Sequence, residues 1–554
     1  MRFIKNHQFL RIILFLFLWG VTSCSEESGL SFYYLNPTKY LRLDEINLPA
    51  DIKILDSLSC NITPGEFEPL SFIIKSLGKT EILSIKIAEL KNENNKMFNG
   101  IIDPYIVKVW YQAGITSKDI RNEKSKLLTQ ELLVKNDKLI KLDRINEQNY
   151  LLCKTKKNNT KYINITDSIN SDFSDLKIAD TPNLKPFLLE NDYRQIWLKC
   201  FADSSELPGI YRGFIEIATS GKNVYRIPIS INVLPFRLDN PGIIYAIYYT
   251  GQIKDYQRPY HYVDKTENQF NLELKDIRDH GFNYPANYQK NNYLVRNLEI
   301  RKSLGYATDK IFNIDLNLFS DAVFNSDTNS LINKVKEYSE IIKKNGWDSL
   351  YIYGIDEADS ANIKKQIPFW QKTKKYHNGI FIAAVKDVYK YVDNEISFAV
   401  VHGETDVTIP EKFHKQNIKV LSYHNPQAGQ ENPEIYRNNY GFDLIQKNYD
   451  GTMIYAYQKS YGNFWNDFDD PEKRFREEAF TYPIIDGIIS TIQWEGMCEA
   501  IDDVRYFETL YNLKEYSENN KISRYELLNK FKMNDNDVTR KKLIEEILKI
   551  VKTE

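Results

Sequence analysis

The chain has 554 residues, a formal net charge of −2 and 27% charged residues. That balance excludes a strongly basic surface built for nucleic acid or another polyanion, and the length allows two or three domains with real cores. Aromatic residues reach 13%, including 38 Tyr; such faces stack on sugar rings, although most of so many tyrosines must serve strands and cores.

In chain order, Arg2, Lys5 and Arg11 precede an apolar run at 12–21, and small residues lead to Cys24. Charged, apolar and small residues in that order make a secretory signal peptide, and the run is too short to span a bilayer. Val21-Thr22-Ser23-Cys24 resembles the lipobox of bacterial lipoproteins, so residues 1–23 are expected to be removed and Cys24 acylated. An ordinary signal peptide with a coincidental Cys is the alternative. Ser25, Glu26 and Glu27 resemble a signal for display on the Gram-negative surface. No other run is long and apolar enough for a transmembrane helix, so the lipid is expected to be the sole anchor, at the outer membrane or cell surface. Cys60, Cys153, Cys200 and Cys498 show no CxxC spacing and no His partner, which indicates neither a metal site nor a thiol nucleophile. A disulfide among the first three stays open.

Residues 24–235 read as short alternating strands, with examples at 70–75, 196–201, 213–218 and 225–233. Pro208-Gly209 separates two of them as a hairpin connection would, and the whole predicts an all-β sandwich. The polar stretch 154–174 reads as a surface excursion. From residue 236 to about 518 the pattern changes. Apolar, β-branched runs at 243–249, 284–287, 311–315, 350–355, 380–385, 396–401, 419–423 and 453–457 alternate with helical stretches such as 269–280, 330–344 and 363–376. Eight strands alternating with helices over roughly 260 residues predict a (β/α)₈ TIM-like barrel. A doubly wound open sheet is the competitor, and no Gly-rich phosphate loop follows the first run to support it. A helix at 497–513 and a helical segment at 519–554, with Leu543, Ile547 and Val551 at helical spacing, complete the chain.

Chemistry in such a barrel is built at the C-terminal strand ends. The fourth run, with Tyr353, ends in Asp356-Glu357; the sixth gives His402 and Glu404, the seventh His424 and Asn425, the eighth Tyr457, with Trp465 beyond. Two adjacent carboxylates in a cleft repel and raise one pKa, which suits a general acid. The bland alternative has Asp356 capping the next helix and Glu357 solvated. Tyr457, Trp465 and Trp494 are expected to line the cleft, with Trp494 equally readable as a core residue. His424 and Asn425 are candidates for hydroxyl contacts, and His402 is a weaker one.

The Asp356-Glu357 strand end, the run from Phe480 through Gln493-Trp494-Glu495 to Asp503, and the pieces Pro64-Gly65-Glu66 and Leu207-Pro208-Gly209 together resemble glycoside hydrolase family 123. The resemblance implies a β-sandwich ahead of a (β/α)₈ barrel and β-N-acetylgalactosaminidase activity on a glycan or glycoconjugate. It also implies substrate-assisted retention, an exception to the two-carboxylate rule. Asp356 would polarise the acetamido N–H, Glu357 would protonate the leaving oxygen, and no metal or organic cofactor is implied. The chain departs from the family pattern at Gln493 and Cys498, where Arg is usual, and at Ala358, where Pro is common. Two other functions stay open: a conventional glycosidase pairing Glu357 with Glu404 or Glu495, and a non-catalytic glycan-binding lipoprotein.

Overall fold

A computed structural model describes residues 29–113, 126–166, 176–178, 180–255, 260–325, 327–383, 387–392, 394–469, 477–513 and 522–551. The apolar run at 12–21 and Cys24 lie outside the described residues.

The first half is β-rich. One antiparallel five-stranded sheet runs in the order Leu30–Tyr34, Phe67–Ser76, Tyr193–Phe201, Ile101–Gln112, Leu127–Val134. A second runs Phe187–Glu190, Lys79–Ile87, Gly209–Thr219, Val224–Val233, Leu58–Ile62, with the last strand parallel. Alternation explains the strands: in Val224–Val233, Ile227, Ile229, Ile231 and Val233 are buried while their neighbours face outward. These residues share one core with Phe72, Ile106 and Ile196 of the first sheet. Pro208-Gly209 does not close a hairpin, because the strands on either side of it lie in different sheets. The stretch expected to be a surface excursion contributes a strand, Thr160–Asn164, paired with Gln148–Thr155.

The second half is a parallel barrel. Its strands are β1 (Ile244–Ile247), β2 (Tyr284–Pro285), β3 (Ile311–Asn313), β4 (Leu350–Tyr353), β5 (Gly379–Ala383), β6 (Phe398–His402), β7 (Lys419–Tyr423) and β8 (Gly451–Ile454). Hydrogen bonding follows the order β2-β1-β8-β7-β6-β5-β4-β3. A single bridge between Asn287, just past β2, and Asn313, the last residue of β3, joins the two edges. All eight sequence runs therefore overlap a barrel strand, although β5, β6 and β8 extend beyond the runs at 380–385, 396–401 and 453–457. Alternation now divides two apolar layers: Ala246, Phe312, Phe381, Phe398, Leu421 and Met453 fill the interior, while Ile247, Ile352, Ile380, Val401 and Val420 face the surrounding helices. The expected alternation with helices fails once: among the described residues, β5 and β6 are joined by a 3₁₀ turn, Val388–Lys390, with no α-helix.

After β8 the chain does not stay with the barrel. Phe464, Trp465, Ala479, Tyr482 and Ile489 pack into the core of the β-rich half, and helix Ile492–Asn512 then returns against helix Pro433–Tyr440. The C-terminal helix Asn536–Val551 buries Leu543 and Ile547 as its spacing predicts, with Val551 at the margin. It is tied down by charge. Arg540 pairs with Asp503 (2.6 Å), Glu499 (2.8 Å) and Glu68 (2.6 Å), and Arg437 grips the same Asp503 at 2.8 Å. Asp503 is fully buried, so these two guanidinium groups are what make its charge tolerable. Replacing Arg540 by Ala should destabilise the protein by about 3–5 kcal/mol, the usual cost of breaking a buried pair, measured as a lowered midpoint of chemical denaturation.

Candidate active site

The loop after β4 is positioned by its flanks. Gly354 N–H donates to the carbonyl of Phe381 in β5 (2.9 Å), and Ile355 N–H donates to Gln366 Oε1 of the next helix (2.8 Å). That helix, Ser360–Thr373, is capped by Asp359, whose carboxylate accepts from Asn362 N–H at 2.8 Å. Because Asp359 does the capping, Asp356 is left for another task. Its Oδ1 accepts the Tyr353 hydroxyl at 2.5 Å. Glu357 follows with φ of +44°, a left-handed conformation that costs an L-residue about 1–2 kcal/mol. Asp356 and Glu357 are both exposed. Partial burial and then the neighbouring Asp356 charge hold the Glu357 carboxyl above its ordinary range.

A third carboxylate joins the pair, and sequence reasoning missed it. Gln458–Lys459, just beyond β8, pairs antiparallel with Glu478–Ala479, with Lys459 opposite Glu478. Glu478 is 2% exposed, and its Oε2 accepts the Tyr461 hydroxyl at 3.0 Å. Burial, opposed by Tyr461 and Lys459 and reinforced by Glu357, raises its pKa to about 7. Tyr423, at the end of β7, lies within the field of all three carboxyl groups. Burial first, then Glu478, Glu357 and Asp356, raise its hydroxyl above the usual tyrosine range. A ring of tyrosines completes the mouth. Tyr248, past β1, packs its ring edge-on against Tyr353, Tyr423 and Tyr455 at 6.5, 6.0 and 5.4 Å. Tyr262 and Tyr461 flank the Lys459 ammonium. No periodicity marks Glu478 in the sequence, since a two-residue strand has none.

The structure brings Asp356, Glu357, Tyr353 and His424 to this mouth, His424 with its ring 4.3 Å from that of His402. It does not bring the others. Asn425 is buried and committed: its N–H donates to the Tyr440 hydroxyl (2.9 Å) and its side-chain oxygen accepts from Asn439 (3.3 Å). Tyr457 and Trp494 both donate to Asp276 Oδ2 at 2.9 Å, and Trp494 stacks on His280 and Phe282 at 4.5 and 5.2 Å. They are core residues between barrel and helices. Trp465 is buried against Trp110 and Tyr482 in the β-rich half, its indole N–H on the Pro483 carbonyl. Glu495 pairs with Lys199 and, at 3.3 Å, with His280, and that company pulls its carboxyl down to about 2. His280 ends the helix before β2, so Glu495 belongs to the opposite end of the barrel. Glu404 is solvent-exposed beyond β6.

The departures at 493 and 498 also find an account. Gln493 donates to Glu131 at 2.7 Å, and the Cys498 thiol lies 3.8 Å from Asp502. Cations from other elements brace the acids of this helix instead: Lys199 on Glu495, Arg540 on Glu499. Among the described residues, no group of His, Cys, Asp and Glu is arranged to hold a metal ion. With a raised acid, an adjacent carboxylate and many hydroxyls, the mouth can donate a proton, offset a developing positive charge and hydrogen-bond a polyhydroxylated ligand.

No protein-family profile matches the chain, and no curated protein matches it. Among solved structures, the chain is similar to a family 123 glycoside hydrolase from Clostridium perfringens, described for glycolipid glycan hydrolysis. The identity is 14%, the match covers 95% of this chain and 99% of that one, and the TM-score is 0.63. A family 39 glycoside hydrolase from Bacteroides cellulosilyticus matches over 58% of this chain and 75% of its own at 10% identity, with a TM-score of 0.33 that carries no weight. At 14% identity the first likeness establishes the shared fold. Trp465→Ala, which opens a cavity in the β-rich core, should cost about 3–5 kcal/mol of stability. Its midpoint of thermal unfolding should fall, whereas a residue that only stacked on ligand would leave it unchanged.

Proposed function

We propose that the chain is a retaining exo-glycoside hydrolase acting on β-linked N-acetylgalactosamine, or another 2-acetamido sugar, at the end of a glycan or glycoconjugate. The observation that carries the reading is the division of labour at the β4 end. Asp356 is clamped by Tyr353 while Glu357 keeps its proton to higher pH. The shared fold with a family 123 enzyme supports it, as does the resemblance in the β4 end and the 480–503 run.

The chemistry follows from these positions. The substrate's acetamido oxygen attacks the anomeric carbon, the glycosidic bond breaks, and Glu357 gives its proton to the departing oxygen. Asp356 accepts the acetamido N–H and offsets the positive charge of the resulting oxazolinium. Glu357, now ionised, takes a proton from water, whose oxygen attacks the anomeric carbon and opens the oxazolinium with net retention. Activity should fall as pH rises through the elevated Glu357 pKa, because the acid is then lost.

A conventional two-carboxylate mechanism is the second reading, and its partner for Glu357 is Glu478 rather than Glu404 or Glu495. A thiazoline that mimics the oxazoline separates the two, since only the acetamido route passes through that species. We read the two five-stranded sheets as a β-sandwich ahead of the barrel, and the protein as exported and held at the outer membrane or cell surface by lipid on Cys24.

Glu357→Gln should lose most kcat/KM on an alkyl β-N-acetylgalactosaminide and far less on the 2,4-dinitrophenyl glycoside, with a gap on the order of 10²–10⁴-fold. Asp356→Asn should slow both by similar factors. Equal losses on both substrates for Glu357→Gln would remove it as the acid. On localisation, Cys24→Ser should shift the protein out of the membrane fraction, and unchanged sedimentation with membranes would defeat the lipid anchor.

A further inference from the structure

We infer that Glu478 is a specificity-determining residue of the same cleft, one that holds a hydroxyl of the bound sugar and does not attack the anomeric carbon. The inference rests on the glycoside-binding reading above and assigns its third carboxylate.

Three observations carry it. Glu478 stands at the mouth with Glu357 and Tyr423, yet it is 2% exposed, far more enclosed than either member of the Asp356–Glu357 pair. Its Oε2 is occupied by the Tyr461 hydroxyl at 3.0 Å, and no described residue hydrogen-bonds Oε1. The Lys459 ammonium, opposite it in the strand pair, is directed to the Tyr262 hydroxyl at 2.8 Å. The groups that face Glu478 are thus Tyr461, Lys459, Glu357, Tyr423 and Tyr455. No ion pair to a described cation neutralises it, and the nearby Glu357 resists a second negative charge.

Such a carboxyl is a poor nucleophile, because attack requires the ionised form and this site favours the protonated one up to about pH 7. A protonated carboxyl has both a donor and acceptors, which matches a sugar hydroxyl that can receive one hydrogen bond and give another. A site that hydrogen-bonds a hydroxyl discriminates strongly against a sugar lacking it, because its own buried polar atoms are then left unpaired. Ionisation of Glu478 removes the donor and adds repulsion with Glu357, so sugar affinity should weaken as pH rises through about 7.

The test uses the mature wild-type chain, Glu478→Gln and Tyr461→Phe, with N-acetylgalactosamine binding followed by calorimetry between pH 5 and 9 alongside turnover of an aryl glycoside. Gln keeps the shape with a donor and an acceptor. Glu478→Gln should therefore bind within about 10-fold of wild type, the worth of one hydrogen bond, and lose the pH dependence near 7. Tyr461→Phe removes the bond that favours the ionised form, so its affinity should persist to higher pH than wild type, a readout that a merely structural role would not move. Wild-type affinity that is absent, or flat across pH 7, overturns the inference. So does a Glu478→Gln variant that binds sugar but loses kcat by 10³-fold or more and yields an inverted glycosyl azide with added azide, the signature of a missing nucleophile. Failure of the acetamido mechanism reads out separately, as insensitivity to the thiazoline with the pH-dependent sugar binding intact.

Discussion

The closure of the barrel between β2 and β3 is the constraint on which the mouth depends. It is made by a buried polar chain and not by a ladder. Asn287 N–H donates to the Phe312 carbonyl and Ile314 N–H to that of Asn287, both at 2.8 Å, while the Asn287 amide donates to Asn313 Oδ1 at 2.7 Å. Asn297 supports Asn287 at 3.0 Å, and Arg301 supports Asn297 at 2.6 Å. With the ring closed, alternate residues of all eight strands point to one interior, and Phe312 meets Phe381 and Phe398 edge-on at 5.1 and 5.2 Å. Tyr353 and Tyr423 belong to the top of that packed layer. The hydroxyl that clamps Asp356 therefore stands on a filled core rather than on a loop, which is how a site gains precision.

Charge is handled in two opposite ways. At the junction of the β-rich half, the barrel helices and the C-terminal helix, cations in contact hold several buried acids: Asp503 has Arg437 and Arg540, Glu495 has Lys199. Those pairs are structural, and Glu495 stays ionised far below neutral pH. At the mouth, Asp356 and Glu478 accept tyrosine hydroxyls, and Glu357 and Glu478 have raised pKa values. Hydroxyls hydrogen-bond a carboxyl without fixing its charge, so protons remain available there. The contrast separates acids that hold the fold from acids free to do chemistry.

The return of the chain after β8 into the β-rich core couples the two halves. Trp465 and Tyr482 enter the same cluster as Trp110, and Tyr482 also accepts from Gln112 at 2.8 Å. This excursion carries Glu478 past the mouth on its way, so the strand that supplies the third carboxylate is held at both ends by packing elsewhere.

The sequence by itself determined the class of the fold and the location of the acid pair. Period-two alternation marks the strands from 70 to 233, eight apolar runs mark the barrel, and a carboxylate pair ending a strand is visible as residue order. These are local signals, since each depends on neighbours within a few positions. Tertiary structure decided which aromatics line the mouth, because Trp465, Trp494 and Tyr457 sit near strand ends in sequence while their side chains point into cores. It decided that Asp359 rather than Asp356 caps the helix, leaving Asp356 to Tyr353. It also decided that Glu478, 121 positions beyond Glu357, shares its field while Glu495 does not. Burial, pairing and the pKa of a carboxyl are set by groups distant in the chain, and only the closed barrel brings those groups together.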